Sequence, residues 1–159
     1  MKTNIGVLVY VKRRGRYLML HRNKKKNDMH EGFWVAPGGK RELNESIPDC
    51  ARRELLEETG LTARTLKFLG FLHFPQAGSS PFGGEWVDFV FLCNRFTGVP
   101  LTSGPEGTLS WVSEKDLMSL PMWEGDRIFT PLVLQRKRFD ISLTYEEERL
   151  VSYSVKDLH

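Results

Sequence analysis

The stretch from Gly39 to Leu61 reads GKRELNESIPDCARRELLEETGL and carries more information on fold and function than any other part of the chain. Near its end, Glu54, Glu57 and Glu58 fall within one helical turn. Residues three and four apart share a helix face, so these carboxylates repel one another by roughly 0.2 to 0.5 kcal/mol per pair. A divalent cation would offset that repulsion. The alternative is a solvated acidic face with Arg53 as an intrahelical partner.

The ends of this helix are also visible in the sequence. Ser46, followed three residues later by Asp49, resembles a capping box. Pro48 suits a first turn, where backbone N–H groups lack helical partners, and Gly60 suits a left-handed C-cap. The sequence therefore predicts a helix from Ile47 to Thr59.

Length and composition predict one globular domain spanning residues 1–159. The chain is 40% hydrophobic and 27% charged, and its formal net charge is +3. The basic residues cluster in three runs: Lys12–Arg16, Arg22–Lys26 and Arg136–Arg138. This bias favours an anionic ligand. We expect no nucleic-acid polymer as a partner, because no RNA-binding aromatic motif, helix-turn-helix signal or zinc-finger spacing is present.

The apolar runs are short. Ile5–Val11 is typical of a first strand rather than a signal peptide, because no small-residue cleavage site follows it. Phe89–Cys93 is too short to span a bilayer, so we expect no membrane association. Cys50 and Cys93 lack a C-x-x-C spacing and indicate two buried, reduced thiols, which favours a cytoplasmic protein. We expect a monomer or a homodimer.

Alternating and apolar patterns predict several strands around the helix. They lie at Ile5–Lys12, Tyr17–Arg22, Phe33–Ala36, Thr65–Phe74, Trp86–Phe96 and Thr108–Val112, with a turn at Arg13–Arg16 and a loop at Gly78–Gly84. Glu124–Arg138 predicts a second helix, which Pro131 would kink or split. Periodicity alone indicates only a mixture of helices and strands.

The spacing of nine positions in the opening stretch matches the Nudix box, the signature of hydrolases that cleave nucleoside diphosphates linked to another group. These positions are Gly39, Glu45, Arg53, Glu54, Leu55, Glu57, Glu58, Gly60 and Leu61. The resemblance implies the Nudix fold of the α/β class, a mixed β-sheet in an α/β/α sandwich.

Segments outside the box resemble the MutT/MutX branch of this family, the oxidised-purine nucleoside triphosphate diphosphatases. They are His21–Asp28, His30–Lys40, Glu106–Val112 and Trp123–Asp126. The branch implies hydrolysis of a triphosphate such as 8-oxo-dGTP to the monophosphate and pyrophosphate, and hence sanitation of the nucleotide pool. The implied cofactor is Mg2+, with Mn2+ as an alternative, and no covalent nucleophile is required.

The resemblance also implies metal ligands. Gly38 would offer its backbone carbonyl, and Glu57 and Glu58 their carboxylates. Glu54 would share the metal and orient or deprotonate the attacking water. Glu106 matches the position of a further ligand or base in related enzymes, and its alternative is an ordinary loop carboxylate.

Three basic residues have implied supporting roles. Arg53 would serve catalysis through a pair with Glu45 that holds the helix against the glycine loop. Arg22 and Lys40 would neutralise phosphate oxygens.

Base recognition would fall to Trp123 by stacking and to Asp126 by hydrogen bonding. The alternative for Trp123 is a core residue at a helix start. In the animal enzymes of this branch an asparagine follows the Trp before the glycine loop, whereas here Val35 lines that position and offers no side-chain hydrogen bond. Those enzymes also carry two adjacent acids where this chain has Gly125 and Asp126.

Two rival functions remain open. One is a Nudix pyrophosphatase for ADP-ribose, a nucleotide sugar or an ordinary nucleoside triphosphate, with Pro75 as an ADP-ribose-like feature. The other is a Nudix domain that binds nucleotides without catalysis, which the intact set Glu54, Glu57 and Glu58 disfavours.

Overall fold

A computed structural model describes residues 2–24, 26, 28–77 and 79–159. Lys25 of the basic run, Asn27 of the stretch that resembles the MutT/MutX branch, and Gly78 of the expected loop lie outside the described residues. The elements in chain order are β1 (Thr3–Arg13), β2 (Arg16–His21), β3 (Trp34–Val35), β4 (Gly38–Lys40), α1 (Ile47–Thr59), β5 (Thr62–Ala63), β6 (Lys67–Phe74), β7 (Glu85–Cys93), β8 (Phe96–Thr97), β9 (Thr108–Ser113), α2 (Glu114–Leu117), α3 (Asp126–Leu134), β10 (Phe139–Glu146) and β11 (Arg149–Asp157).

The main sheet is mixed. Its strand order is β11-β10-β6-β7-β1-β2-β3, with β4 paired to β1 and β9 paired to β2. The β1–β7 and β6–β10 pairs are parallel, whereas the other pairs in the sheet are antiparallel. The parallel pairing of β1 and β7 runs from Thr3 opposite Glu85 to Val11 opposite Cys93.

Helices cover the two faces of this sheet. Successive side chains of a strand point to opposite faces, so Val9 of β1 belongs to the core under α1 and the adjacent Tyr10 to the core under α3. Helix α1 buries Leu55 in the first core, and α3 buries Phe129 in the second. This arrangement agrees with the expected α/β class and the mixed sheet between helices.

Helix α1 has the bounds that the sequence predicts. The Ser46 side chain accepts a hydrogen bond from the Asp49 N–H at 3.2 Å, and Gly60 adopts a left-handed φ of 79°. Cys50 and Cys93 are buried free thiols, as expected.

The predicted second helix is wrong at both ends. Helix α3 covers only Asp126–Leu134, and Pro131 lies inside it without splitting it. At the N-terminal side, the Gly125 N–H donates to the Tyr145 hydroxyl instead of entering a longer helix. At the C-terminal side, Arg136 adopts a positive φ of 55°, which ends the helical path.

Two strand predictions also need correction. The strand predicted at Trp86–Phe96 ends at Cys93, and Phe96 begins β8, which pairs with β5 in a separate two-stranded sheet. The β10–β11 hairpin was not predicted at all.

No helix in the described part of the chain is long and apolar enough to cross a membrane.

Candidate active site

The three box glutamates differ in their surroundings. The Glu57 side chain is 58% exposed, whereas the Glu54 side chain is only 14% exposed. Burial and the neighbouring Glu54 charge raise the pKa of Glu58 to about 8, although the Gly38 N–H donates to its carboxylate. Burial also raises the pKa of Glu54. The Glu54 and Glu58 carboxyls on the inner face of α1 are therefore poorly solvated.

Arg53 ties these glutamates to the preceding loop. Its Nε donates to Glu45 Oε2 at 2.6 Å and its Nη2 to Glu45 Oε1 at 2.9 Å. Nη1 donates to Glu54 Oε1 at 2.8 Å and to Glu57 Oε2 at 3.2 Å, and Nη2 donates to the Lys40 carbonyl at 3.0 Å. The hydrogen bonds from Arg53 lower the pKa of Glu45 to about 2. The structure thus contains the Arg53–Glu45 pair that the resemblance implies.

Two glycines allow α1 to approach β4 closely. A Cβ at Gly39 would overlap the Glu54 carboxylate, and a Cβ at Gly38 would overlap the Val7 carbonyl oxygen of β1. Gly38 and Gly39 pair with Leu8 and Val7 in the β1–β4 ladder. A side chain at Gly39 would therefore push α1 away from β4, whereas one at Gly38 would disturb the pairing of β4 with β1.

Glu106 reaches the box from a different loop. The Gly104 N–H donates to the Gly107 carbonyl at 2.9 Å, and a Cβ at Gly107 would overlap the carbonyl oxygen of His21 at the end of β2. This tight turn places Glu106 Oε2 3.0 Å from Arg22 Nη2. Both side chains act on Glu58, since Arg22 lowers its pKa and Glu106 raises it.

Arg22 is already engaged by carboxylates. Its Nη2 lies 2.8 Å from Asp28 Oδ2 and its Nε donates to the same oxygen at 3.0 Å. A phosphate group would therefore compete with Asp28 and Glu106 for this guanidinium. Lys40, the second predicted phosphate ligand, lies with Nζ 5.9 Å from the centre of the Trp86 ring and lines the same cavity as Arg22.

The oxygen atoms of this site are of the kind that binds a hard divalent cation, although their side chains do not surround a common point. The described residues contain no group of three His, Cys, Asp or Glu side chains arranged to hold a metal ion. Glu54 and Glu57 accept hydrogen bonds from Arg53 instead. Glu58 Oε2, however, is buried and has no hydrogen-bond partner within the described ranges. Oxygen ligands of this kind suit Mg2+ or Mn2+.

One cavity of about 240 Å³ adjoins these carboxylates. Its lining includes Glu58, Gly38 and Lys40 as well as Val35 and Asp126. The aromatic part of the lining consists of Phe74, Phe82, Trp86, Trp123, Phe129 and Tyr145. A small apolar cavity with a few polar groups is typical of a site for one flat part of a ligand.

Trp123 is packed in the core, as one of the two alternatives for this residue expected. It is only 4% exposed, and its ring packs edge-on against Phe33 and Tyr145 at centroid distances of 5.3 and 5.5 Å. Its Nε1 donates to His30 Nδ1 at 2.7 Å. Trp123 is therefore a core residue that also lines the cavity.

Two carboxyls line the cavity among these rings. Burial raises the pKa of Asp126 to about 7, and the nearby Asp88 adds to this effect. Burial alone raises the pKa of Asp88 to about 7. Sequence reasoning missed Asp88, although an acidic residue inside the apolar run from Trp86 to Cys93 was a visible signal.

Comparisons with known proteins show the family of the chain. A family model described as the NUDIX domain matches residues 2–133. The "Oxidized purine nucleoside triphosphate hydrolase" of Danio rerio is 37% identical over 133 residues, which cover 83% of this chain and 80% of the relative. An "Uncharacterized Nudix hydrolase" of Bacillus subtilis, YvcI, is 34% identical over 130 residues, covering 80% and 82%. The crystal structure of a MutT protein from Bacillus halodurans superposes with a TM-score of 0.86 at 29% identity and covers 96% of this chain and 97% of that one.

Proposed function

Since the chain belongs to the Nudix family and is a pyrophosphohydrolase, we propose that it hydrolyses an oxidised purine nucleoside triphosphate such as 8-oxo-dGTP. The products would be the nucleoside monophosphate and pyrophosphate, and the role would be sanitation of the nucleotide pool. The observation that carries this proposal is the single cavity lined both by Glu58 of the box and by Trp123 and Asp126. A base in that cavity would lie next to the carboxylates that act on its phosphates.

The acidic and basic side chains of the site would have different roles. A divalent cation held by Glu54, Glu57, Glu58 and the Gly38 carbonyl would neutralise the phosphate oxygens and lower the pKa of the attacking water. Arg53 holds Glu54 by a hydrogen bond of 2.8 Å, so the carboxylate that would receive the water proton keeps a defined orientation.

Cationic side chains would hold the phosphates at the mouth of this site. Arg22 and Lys40 both line the cavity, and each offers N–H donors to phosphate oxygens. Arg22 would exchange its contact with Glu106 for the substrate. Glu106 would then serve as the further ligand or base that the resemblance implies.

The names of the relatives support the oxidised-purine substrate, since the zebrafish protein bears that name at 37% identity. Two positions depart from the animal pattern. Val35 lacks a polar side chain, and Gly125 replaces one of two adjacent acids. Base selection in this chain therefore needs its own test.

The test is pyrophosphate or phosphate release from a panel of 8-oxo-dGTP, dGTP, dATP, ADP-ribose and a nucleotide sugar, with Mg2+, with Mn2+ and with a chelator. We expect the highest kcat/KM for 8-oxo-dGTP and no turnover with the chelator. Glu57→Gln should lower kcat by more than about 100-fold, because loss of a direct metal ligand should exceed the 10- to 100-fold effect typical of outer partners.

Asp49→Asn is the matched control, because the Asp49 carboxyl is 70% exposed on the same helix and pairs only with Arg52 at 3.6 Å among the described side chains. It should retain parental turnover. Faster hydrolysis of ADP-ribose or the nucleotide sugar would reject the oxidised-purine substrate. Nucleotide binding without any hydrolysis would favour the binding domain instead.

A further inference from the structure

Asp88 is an acidic residue inside the otherwise apolar run from Trp86 to Cys93 of β7. It sits in β7 opposite Gly6 of β1 and Leu72 of β6. A Cβ at Gly6 would lie 2.6 Å from Asp88 Oδ1 and 3.5 Å from the Trp86 ring. The missing side chain at Gly6 therefore leaves the room that the Asp88 carboxyl occupies beside the cavity.

Neither Asp88 nor Asp126 is stabilised by a hydrogen bond from the protein. Among the described residues, no backbone or side-chain group donates a hydrogen bond to either carboxyl, and neither carboxyl forms an ion pair. Both line the cavity, where they keep part of their surface accessible. A buried polar group without a partner destabilises a fold. The Asp88 carboxyl thus has no evident role in stabilising the fold, and Asp88 lines the space in which a ligand would sit.

We propose that Asp88 is a second base-recognition residue, which acts together with Asp126 on the 2-amino-6-oxo edge of a guanine-type base. The inference rests on the proposed function, because it assigns a base class to the same cavity. Asp88 comes from a different strand than the segment Trp123–Asp126, so it supplies the second acid that Gly125 cannot supply.

The hydrogen-bonding pattern of guanine suits two neighbouring carboxyls. Guanine presents the N1–H and 2-amino donors beside the O6 acceptor. An ionised carboxyl accepts from the two donors, and a neutral carboxyl donates to O6. Burial raises the pKa of both carboxyls to about 7, so near neutral pH the site can supply both forms. Adenine offers only the 6-amino donor and the N1 acceptor on this edge and lacks a 2-amino group, so it would make fewer hydrogen bonds with the same pair.

Other titratable groups surround this pair. Tyr10 of β1 and Tyr145 of β10 interact with Asp126, and Arg127 lowers its pKa. Arg22, His30, Lys40 and Glu58 line the same cavity. Among these groups, only Asp88 and Asp126 are carboxyls that lie in the aromatic part of the cavity, away from the Arg53 and Arg22 ion pairs.

The test is equilibrium binding of 8-oxo-dGMP, dGMP and dAMP by calorimetry without metal, for the parent and for Asp88→Val. Valine suits a strand and removes both oxygens. We expect the Kd of both guanine-type ligands to rise roughly 10- to 100-fold, as for loss of a charge-assisted hydrogen bond. The Kd of dAMP should rise by a smaller factor, because adenine lacks the 2-amino donor, so the preference for guanine should fall.

Thermal unfolding separates recognition from a structural role. Replacing an unpartnered buried carboxyl by an apolar side chain should keep or raise the Tm. Asp140→Val is the matched control, because Asp140 is a partly exposed carboxyl of β10 in the same sheet that does not line the cavity. It should leave all three Kd values unchanged. If Asp88→Val does not fold, Asp88→Asn should still reduce the guanine preference by at least about threefold, because an amide cannot form the charge-assisted bond.

An unchanged guanine preference in the folded Asp88 variant would overturn the inference, and so would a parent that binds dAMP as tightly as dGMP. These outcomes are separate from those of the proposed function, because monophosphate binding requires no hydrolysis. A parent that hydrolyses none of the triphosphates yet loses guanine preference with Asp88→Val would reject the proposed function alone.

Discussion

Burial and neighbouring negative charge both raise the pKa of the Glu58 carboxyl. Water is largely removed from it, Glu54 repels it, and its Oε2 has no hydrogen-bond partner among the described residues. The Gly38 N–H offsets only part of this effect, since the pKa still rises to about 8. Without a cation, the ionised form of Glu58 therefore opposes folding.

This shift predicts a pH dependence of stability in the metal-free protein. The unfolded chain loses the Glu58 proton near its ordinary pKa of 4.5, whereas the folded protein keeps it up to about 8. The stabilising contribution is thus complete below about pH 4.5 and is lost as pH rises through 8. Each pH unit in this window lowers the free energy of unfolding by at most about 1.4 kcal/mol. Glu58→Gln should therefore gain Tm over the parent progressively from about pH 5 to about pH 8.

Thermal unfolding in chelator, with parent and variant measured at each pH, checks this expectation. The comparison cancels the opposite effect of His30, whose pKa burial lowers. Asp49→Asn serves again as the exposed carboxyl control. A Tm difference between Glu58→Gln and the parent that stays constant across the window would contradict the assignment.

At the scale of elements, the site depends on how closely α1, β4 and β1 approach one another. Gly39 contacts the Glu54 side chain of α1, whereas Gly38 contacts the backbone of Val7 in β1. A carboxylate at the end of a side chain can move, but a strand backbone in the middle of a sheet cannot move without loss of its ladder. The two adjacent glycines are thus held by different constraints.

Replacing Gly38 and Gly39 by alanine should therefore have different effects on turnover and stability. Gly39→Ala should displace Glu54 and lower kcat strongly, while the free energy of unfolding falls by less than about 1 kcal/mol. Gly38→Ala should destabilise the protein by roughly 1 to 3 kcal/mol or more through overpacking against β1. Thermal unfolding and turnover measured on both variants test the contrast. Equal stability losses would show that the glycines share one role.

At the scale of the whole molecule, the cavity is completed by the C-terminal hairpin. The NUDIX domain match ends at residue 133, before β10 begins at Phe139. Tyr145 of β10 nevertheless lines the cavity, and its hydroxyl accepts a hydrogen bond of 2.6 Å from the Gly125 N–H. The hairpin thereby holds the segment that carries Trp123.

Tyr145→Phe should weaken both the stability of the protein and binding at the proposed base site. The buried Gly125 N–H would lose its partner, which costs roughly 1 to 3 kcal/mol of stability. Because the base is bound equally in ground and transition states, KM should rise more than kcat falls. Tyr153→Phe is the control, since Tyr153 is 58% exposed on β11. Unchanged Tm and KM in Tyr145→Phe would refute the role given to the hairpin.

The sequence by itself determined the features that depend on neighbours a few residues apart. The bounds of α1 follow from Ser46 and Gly60, and the grouping of the box carboxylates follows from helical spacing. The Nudix resemblance added the sheet between helices. Caps, turns and i, i+4 pairs are local interactions, so they are readable in the chain order itself.

Only the tertiary structure decided which distant residues meet. The parallel register of β1 and β7 sets Asp88 beside Gly6, and the packing of α3 brings Asp126 to the same cavity. The position of Tyr145 depends on β10 joining β6 in parallel. Register and long-range packing arise from the mutual fit of whole strands, because a shift of one residue would turn every side chain to the opposite face.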